Sequence, residues 1–197
     1  MARARGQVDE TKTEAILDAA MALFQEKGAL ASMEAIARRA GVSRQTLYNR
    51  FPSKLEIGKA LAARRSDAVT GPLRSGGEPE AVLTAMGAAL LEKICAADAA
   101  GSMRGVALMS PEVPELAAAI YDAGPGEGLR RLSEWLAEQN RAGRLAVPDT
   151  RAAAEMFTGM VLGHGHLRSI LGMPHPPFDR EARAREAARR FIRAFAP

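Results

Sequence analysis

The fold is decided by residues 36–51, which read IARRAGVSRQTLYNRF. Two short segments with helical spacing flank Gly41, and two short helices joined by a tight, glycine-containing turn are the helix-turn-helix pattern. Gly41 supplies the backbone freedom that the turn needs, and Ser43 can cap the helix that follows. At about 100° per residue, Leu47 and Phe51 fall on one face of this helix, where they would pack on the preceding helices. The stretch therefore predicts a three-helix head.

The opposite face of the predicted third helix is polar. It carries side chains that can form hydrogen bonds with nucleic acid, namely Arg44, Gln45, Thr46, Tyr48, Asn49 and Arg50. Gln and Asn can bond adenine edges in pairs and Arg can do so with guanine, whereas Thr and Tyr suit phosphate oxygens. We expect this face to bind DNA. The alternatives are a partly buried role for Tyr48 and ordinary solvated positions for Asn49 and Arg50.

Residues 41–54 resemble the tetracycline-repressor family of bacterial transcription regulators, whose signature is Gly-Val-Ser-x-x-Thr-Leu-Tyr-x-x-Phe-x-Ser-Lys. The resemblance implies that Arg44, Gln45 and Asn49 read bases in the major groove of a DNA operator. It also implies phosphate contacts from four side chains, Ser32, Thr46, Tyr48 and Lys54. Many members have glycine at position 45 and histidine or tyrosine at position 50, so Gln45 and Arg50 bear on the base preference of this chain.

Positive charge is concentrated at the N-terminal end of the chain. Residues 1–65 contain twelve Lys and Arg against seven Asp and Glu, whereas the remaining residues contain fifteen against sixteen. A basic end on a near-neutral body predicts a polyanionic partner that touches only that end, although a solvated charged surface would give the same count. Arg3 and Arg5 could extend the contact as a flexible arm, or form an uninvolved tail.

The chain carries no signal for secretion, a membrane span or disulfide bonds. Its single cysteine, Cys95, excludes an internal disulfide framework and a cysteine-based zinc site. No apolar region follows the basic N-terminus, and no run of about 18 apolar residues occurs. We therefore expect a cytoplasmic protein that has no membrane contact and needs no cofactor.

Composition and capping motifs predict an all-α fold of about nine helices. The sequence is rich in strong helix formers, and aromatic residues make up only 5% of it. Helix starts are predicted at the capping residues Thr11, Ser32, Ser43, Ser53, Asp149 or Thr150, and Asp179. The last two helices should end near Leu171 and Phe195, and Gly124-Pro125-Gly126 should interrupt the middle of the body.

The chain divides after the helix-turn-helix. We assign residues 1–52, with a flexible basic arm at 1–9, to a DNA-binding domain, and residues 53–197 to a ligand-binding and dimerisation domain. A fourth helix, which opens at Ser53 and runs to about Val69, leaves the head and enters the body. This helix would be the mechanical link between the two domains.

One short recognition helix contacts too few base pairs for useful discrimination, so such heads normally act in symmetric pairs on a palindromic operator. The resemblance places the homodimer surface on the last two helices. Gly159 and Gly163 support this, because glycines four residues apart leave a flat strip for close helix approach. The last helix adds an apolar face made of Ala184, Ala187, Ala188, Phe191, Ile192 and Phe195. The alternative for this face is the core of a single chain.

The resemblance implies an effector pocket among the middle helices. The candidates are the side chains of Met86, Leu90, Ile94, Met103, Met109, Tyr121, Trp135, Phe157, Met160 and His164. Methionine adapts to irregular shapes, which favours a largely apolar small molecule, and ordinary core packing is the alternative for each residue. Bound effector would shift the two heads away from successive major grooves, about 34 Å apart. Repression is the usual mode in the family, and activation is the alternative.

Three other classes of function fit the sequence less well. A metal-dependent enzyme would use His164, His166 and His175, but His164 and His166 are two residues apart and point to different sides of a helix. A thiol-based redox regulator would act through Cys95, which lies beside Ile94 on an apolar helix and is expected to be buried. An architectural DNA-binding protein would leave most of the chain beyond the head without a task.

Overall fold

The computed structural model describes residues 5–96 and 114–197, and every regular element in these two ranges is helical. The α-helices in chain order are α1 (Arg5–Lys27), α2 (Met33–Arg39), α3 (Arg44–Arg50), α4 (Lys54–Thr70), α5 (Pro79–Cys95), α6 (Pro114–Tyr121), α7 (Glu127–Arg141), α8 (Thr150–Leu162), α9 (Gly165–Leu171) and α10 (Arg180–Ala194). Their apolar side chains form two cores, one in the head and one in the body. The all-α prediction is confirmed.

Helices α1, α2 and α3 of the head surround one apolar core, to which Ile57 of α4 also contributes. Ile16, Ile36 and Leu47 are fully buried in this core, and Phe51 is buried at the end of α3. Leu47 and Phe51 therefore pack inward, as their spacing predicts. Burying a side chain of this size stabilises the fold by about 1.5–3 kcal/mol, so the opposite face of α3 is the one left to solvent.

The turn between α2 and α3 has the predicted geometry. Gly41 lies in the left-handed region at φ +66°, where any other side chain would be strained. The Ser32 hydroxyl accepts a hydrogen bond from the backbone N–H of Ala35 at 3.1 Å, and the Ser43 hydroxyl accepts one from Thr46 at 3.0 Å. Both serines therefore cap their helices and fix where each helix begins.

Helix α1 begins at Arg5, so the start predicted at Thr11 is wrong. No proline or glycine separates residues 7–10 from the capping motif. Extending an existing helix by one residue is far easier than nucleating a new one, and the helix therefore continues past the motif toward the N-terminus. The extension places residues 5–9 of the predicted arm in the first turns of α1.

Helix α4 connects the head to the body. The Ser53 hydroxyl accepts from the backbone N–H of Glu56 at 3.3 Å, which confirms the predicted cap. Further along α4, the Arg64 guanidinium bonds Glu14 and Asp18 of α1 at 2.9 and 2.7 Å. Helix α4 is thus tied by ion pairs to α1, the first helix of the head.

In the body, α5, α7, α8 and α10 surround one large core. Phe157 of α8 and Phe191 of α10 are buried there and meet edge to face, with ring centroids 5.4 Å apart. Helix α10 lies along α5, and the two helices approach closely at Gly87. A Cβ atom on Gly87 would lie 3.2 Å from the Ala184 Cβ and 3.3 Å from a Val161 methyl, so this glycine lets three helices converge.

The predicted break at Gly124-Pro125-Gly126 is wrong. The chain remains helical from α6 into α7 through a wider turn at Asp122–Gly126. A proline inside a helix lacks an N–H and clashes with the carbonyl four residues back, and one wide turn removes both conflicts. Gly124 is needed for packing, because its Cβ would lie 3.1 Å from the Cβ of Ala62 on α4.

The single helix predicted from Asp149 to about Leu171 is wrong in its second half. Asp149 does cap α8, accepting from the backbone N–H groups of Arg151 and Ala152. The helix then stops at Gly163, where φ is +51° and ψ is −130°, and α9 begins two residues later. This backbone conformation suits only glycine.

The end of the chain follows the prediction. Asp179 caps α10 through the backbone N–H of Ala182 at 3.0 Å, and residues 172–178 form a loop without regular structure.

In the two ranges that the structure describes, no helix is both long and apolar enough to cross a bilayer.

Candidate nucleic-acid interface

The outward face of α3 is polar and open to solvent. Arg44, Gln45 and Asn49, the three side chains assigned to base reading, are all exposed along it. Tyr48 beside them is 39% exposed. Since Leu47 anchors the helix from behind, the structure brings these four side chains together on one accessible surface.

Two side-chain contacts orient the residues that are assigned to base reading. Arg44 Nη2 donates to Glu34 Oε1 of α2 at 2.7 Å, and Gln45 Nε2 donates to Asn49 Oδ1, one turn further along α3, at 2.7 Å. Each amide keeps further donors or acceptors for a base edge. The ion pair is exposed at both partners, and such pairs contribute only about 0.2–1 kcal/mol, so Arg44 can exchange Glu34 for a base at low cost.

The residues assigned to phosphate contact surround this face. Thr46 is half-buried, and its hydroxyl lies 2.8 Å from that of Ser43. Ser32 is exposed at the start of α2. Lys54 is exposed at the first residue of α4, where the backbone N–H groups and the helix dipole also favour an anion.

Arg50 is separate from the exposed set. The residue is half-buried, and its Nη1 donates to the Thr13 hydroxyl of α1 at 2.7 Å. This contact braces the C-terminal end of α3 against α1. A structural role within the head accounts for the geometry of Arg50, and DNA contact by this residue stays a prediction.

Sequence reasoning misses two residues that shape the interface. Glu34 holds Arg44 from ten positions earlier, and Arg64 reaches Asp18 and Glu14 across 46 and 50 positions. None of these separations corresponds to a helical turn, so no local pattern reveals the pairs. Close packing of α4, in contrast, has a local signal. Gly58, Ala62 and Ser66 are small residues spaced one helical turn apart.

The effector candidates do not converge on one pocket. Met86, Trp135 and Phe157 are buried in the body core. Tyr121 and Met160 are 53% and 39% exposed, so their assignment to an internal pocket is corrected. Met160 points outward because Phe157 and Val161 fill the inward side of the same helix.

The other candidates lie elsewhere. Leu90 is half-buried against the core. Ile94 and His164 both line a small cavity of about 80 Å³ between α5, α9 and the loop that follows α9. Met103 and Met109 lie outside the described residues. Of the eight candidates within residues 5–96 and 114–197, Ile94 and His164 are the two that line this cavity.

The predicted dimer residues fall into two groups. Four residues of α10 lie in the core of the single chain and have no surface left for a partner, namely Ala184, Ala187, Ala188 and Phe191. Ile192 and Phe195 are half-buried against the same core. The four buried residues therefore belong to the core of the single chain, whereas a dimer contact by Ile192 and Phe195 stays a prediction. Gly159 and Gly163, in contrast, are exposed.

The structure also locates the residues that the alternative functions would use. Cys95 is half-buried rather than fully buried. His164 and His175 line the cavity with Cys95, whereas His166 does not. Within residues 5–96 and 114–197, no group of three or more His, Cys, Asp or Glu side chains is arranged to hold a metal ion.

A helix-turn-helix head with an exposed polar recognition helix, joined to a helical body, defines a DNA-binding transcription regulator. Residues 16–61 match the family model of bacterial regulatory proteins of the tetR family. Residues 81–197 match the model of the AefR-like transcriptional repressor C-terminal domain. The chain belongs to the TetR family of transcription regulators.

Solved structures show the same fold. The flavonoid-responsive regulator FrrA is 30% identical with a TM-score of 0.68, over 94% of this chain and 97% of that one. A TetR transcriptional regulator from Agrobacterium tumefaciens is 23% identical with a TM-score of 0.73, over 94% of each chain. SmeT, solved in complex with triclosan, is 22% identical with a TM-score of 0.63, over 94% and 92%. No curated protein sequence matches the chain.

Proposed function

We propose that the chain represses transcription as a cytoplasmic homodimer that binds a palindromic operator and releases it when a small molecule binds the body. We propose no enzymatic role for the chain. The observation that carries it is the exposed polar face of α3, on which Arg44, Gln45 and Asn49 lie together. This set can read guanine and adenine edges in the major groove.

The dimer surface of the proposal is the outward strip of α8 and its continuation along α9. Met156 is 57% exposed on this strip, and Gly159 has open space where a Cβ would lie. Beyond Gly163, Leu167 and Leu171 are exposed as well. Contiguous exposed apolar side chains on a folded chain are typical of an interface, and a second copy would cover them under twofold symmetry.

The coupling of body to head would pass through α4. Three small residues one turn apart on α4, Gly58, Ala62 and Ser66, pack against the α6–α7 segment. The nearest contacts are with Ile120, Gly124 and Gly128 at 3.1–3.5 Å from the ideal Cβ positions. Such tight packing resists gradual sliding, so a shift of the α6–α7 segment would move α4 with it.

An ion-pair network holds the same junction. Arg131 of α7 bonds Asp67 of α4 at 2.5 Å and the Thr70 hydroxyl at 3.0 Å, and also bonds Glu127. Hydrogen bonds from Arg130 and Arg131 lower the pKa of Glu127 to about 2, so its carboxylate stays charged at any physiological pH. About one turn earlier on α4, the ion pairs of Arg64 with Glu14 and Asp18 would transmit the movement to α1.

The nature of the effector is supported by relatives. FrrA is a flavonoid-responsive regulator, and SmeT was solved with triclosan. Both relatives are named with a small molecule, which agrees with a small-molecule effector for this chain.

The test of DNA binding is selection of bound duplexes from a random pool, followed by affinity measurements on the selected site. We expect a palindrome whose half-sites lie about 34 Å apart, or one helical turn. Asn49→Ala should weaken binding to the selected site by about 10- to 100-fold. Its binding to duplexes that already differ at the base pair read by Asn49 should change little. A folded protein that enriches no sequence would contradict the proposal.

The phosphate contacts have a separate test. Lys54→Ala should weaken binding to all duplexes alike and reduce the slope of affinity against salt concentration by about one for each subunit. Arg74→Ala removes one positive charge from the exposed surface of the body and is the matched control. An equal loss of affinity in the two variants would show that only net charge matters.

A further inference from the structure

The cavity between the end of α5, the α8–α9 junction and the following loop combines apolar walls with cationic groups. Leu91, Ile94, Leu162 and Phe178 supply apolar surface. Four basic side chains also line it, namely His164, Arg168, His175 and Arg183. Among the described residues that line the cavity, none is acidic. The cavity thus places two guanidinium groups and no carboxylate in a body that is otherwise near neutral in charge.

Arg183 is held at the cavity by its surroundings. Its guanidinium carbon lies 5.2 Å from the centroid of the Phe178 ring, which is a cation–π distance. A Cβ atom on Gly163 would collide with Arg183 Nη2, so the glycine leaves the space that the guanidinium fills. The residue is half-buried. Its position therefore depends on the same glycine that ends α8.

Arg183 differs from the neighbouring arginines on α10. Arg185 pairs with Glu181, and Arg189 and Arg190 both pair with Glu186. Asp179 and Glu186 stand four residues before and three residues after Arg183, which are the spacings of helical ion pairs. Neither forms one with it.

Each of those carboxylates has another role. The Asp179 carboxylate caps α10, and the Glu186 carboxylate holds the two later arginines. Within the part of the chain that the structure describes, no carboxylate lies within 4 Å of Arg183. A half-buried guanidinium without a carboxylate is a site that an anion would stabilise.

The remaining polar groups are held in place around the cavity. The His175 ring nitrogen Nε2 lies 3.1 Å from the hydroxyl of Ser169, which is buried. Arg168 Nη1 lies 3.5 Å from the Pro174 carbonyl oxygen, a long contact that leaves most of its donors for another acceptor. The loop after α9 is thereby fastened over the cavity.

We propose that this cavity binds the carboxylate group of an effector, with Arg183 and Arg168 as the charged donors. A volume of about 80 Å³ is two to three times the share of one water molecule in the liquid, about 30 Å³. It accommodates a carboxylate and a few carbon atoms, and the apolar walls match the latter. The inference rests on the proposed function in one respect, since it specifies the chemical class of the effector.

The experiment compares two probes of equal size and different charge on the full chain. Carbon-13-labelled propionate and propionamide are each titrated with the protein at constant ionic strength, and binding is followed by NMR of the labelled carbon. We expect saturable propionate binding with a Kd in the millimolar range, as suits a ligand of five non-hydrogen atoms, and at least tenfold weaker binding of propionamide. Equal binding of the two probes, or no saturable binding of propionate, would overturn the proposal.

Variants then locate the site. Arg183→Met should weaken propionate binding about tenfold or more, because a charged hydrogen-bond partner is lost. The matched control is Arg185→Met, which removes an exposed arginine two positions away that is paired with Glu181, and it should bind as the wild type does. Unchanged binding by Arg183→Met, or an equal loss in the control, would place the anion elsewhere.

A second variant is used in case Arg183→Met does not fold. If circular dichroism shows that Arg183→Met is not helical, Arg168→Gln decides, and it too should weaken propionate binding about tenfold. Operator affinity is measured on the same samples without propionate. Normal operator binding with no propionate site rejects the anion inference alone, whereas a loss of operator recognition in the wild type rejects the proposed function.

Discussion

Helices α8 and α10 are neighbours in the body, and both have an apolar face, but their apolar faces have opposite environments. On α10 the apolar side chains point into the core, and Phe191 is only 1% exposed. On α8 the inward side is filled by Phe157 and Val161, and a second apolar strip with Met156 and Gly159 points outward. An apolar face predicts that something covers it, and only the packing tells whether the cover is the same chain or another.

The reason lies in α5. Helix α5 offers a groove at Gly87 that α10 enters, and the small side chains of Ala184 and Ala188 let the two backbones approach closely. Helix α8 covers the remaining side of that groove through Val161. No described element lies over the Gly159 side of α8, where a Cβ would meet open space.

The sharpest test of the inward face is Phe191→Ala. Removing this buried ring should lower the free energy of unfolding by about 3–5 kcal/mol, because a cavity is left in the core and the contacts with Phe157 and Phe195 are lost. Urea denaturation followed by circular dichroism measures the change. Arg189→Ala on the exposed side of α10 is the control and should change stability by less than about 0.5 kcal/mol, since Arg190 still pairs with Glu186.

The outward face is tested by Met156→Glu. A charge on this exposed strip should leave the fold of one chain intact but weaken the dimer by about 2–3 kcal/mol, a factor of about 30–150 in Kd. Sedimentation velocity over a range of concentrations measures the dissociation. Arg189→Ala serves again as the control. A dimer as tight as that of the wild type would show that another surface pairs.

Two glycines refine the comparison. Gly87→Leu should destabilise the chain by about 1–3 kcal/mol, because the added side chain meets Ala184 and Val161. Gly159→Ala should instead stabilise it by about 0.5–1 kcal/mol, since alanine is the better helix former and its methyl group meets nothing. Both are best measured by urea denaturation in the Met156→Glu background at low protein concentration, where dimerisation contributes less. If both substitutions raised the free energy of unfolding, or both lowered it, the environments assigned to the two glycines would be contradicted.

The smallest expected effect concerns α9, which continues beyond the Gly163 break. Burial, and after it the positive charge of Arg65, lowers the pKa of His166 below its usual value near 6.5. The folded chain therefore opposes protonation more than the unfolded chain does, and stability should fall as the pH drops below about 6.5. The replacement His166→Gln should remove this part of the pH dependence in urea denaturation. An unchanged pH profile would show that His166 is as accessible as it is in the unfolded chain.

The head could be predicted from sequence because its signals are local. Gly41, Ser43 and Leu47 each act on the turn or helix in which they stand, and the structure confirms all three. The family signature spans only residues 41–54, so one uninterrupted stretch specified both the fold of the head and its exposed face.

The body was predicted less well because its decisive contacts join distant positions. The inward turn of Phe191 depends on the shape of α5 at Gly87, more than a hundred residues earlier. The continuity through Pro125 depends on a wide turn that no residue pattern announces. The break at Gly163 could have been suspected from the glycine, but the Gly-x-x-x-Gly spacing suggested an uninterrupted helix instead.

The ion pair between Arg44 and Glu34 has a consequence for how the protein searches a genome. If Arg44 reads guanine, each guanine contact must first separate the arginine from its carboxylate. At a correct site the contact with guanine replaces the ion pair with Glu34. At an incorrect site Arg44 stays paired with Glu34, and the acidic group remains near the phosphates. The pair would therefore shorten the time spent on wrong sequences more than the time spent on the right one, and so raise selectivity without tightening the final complex.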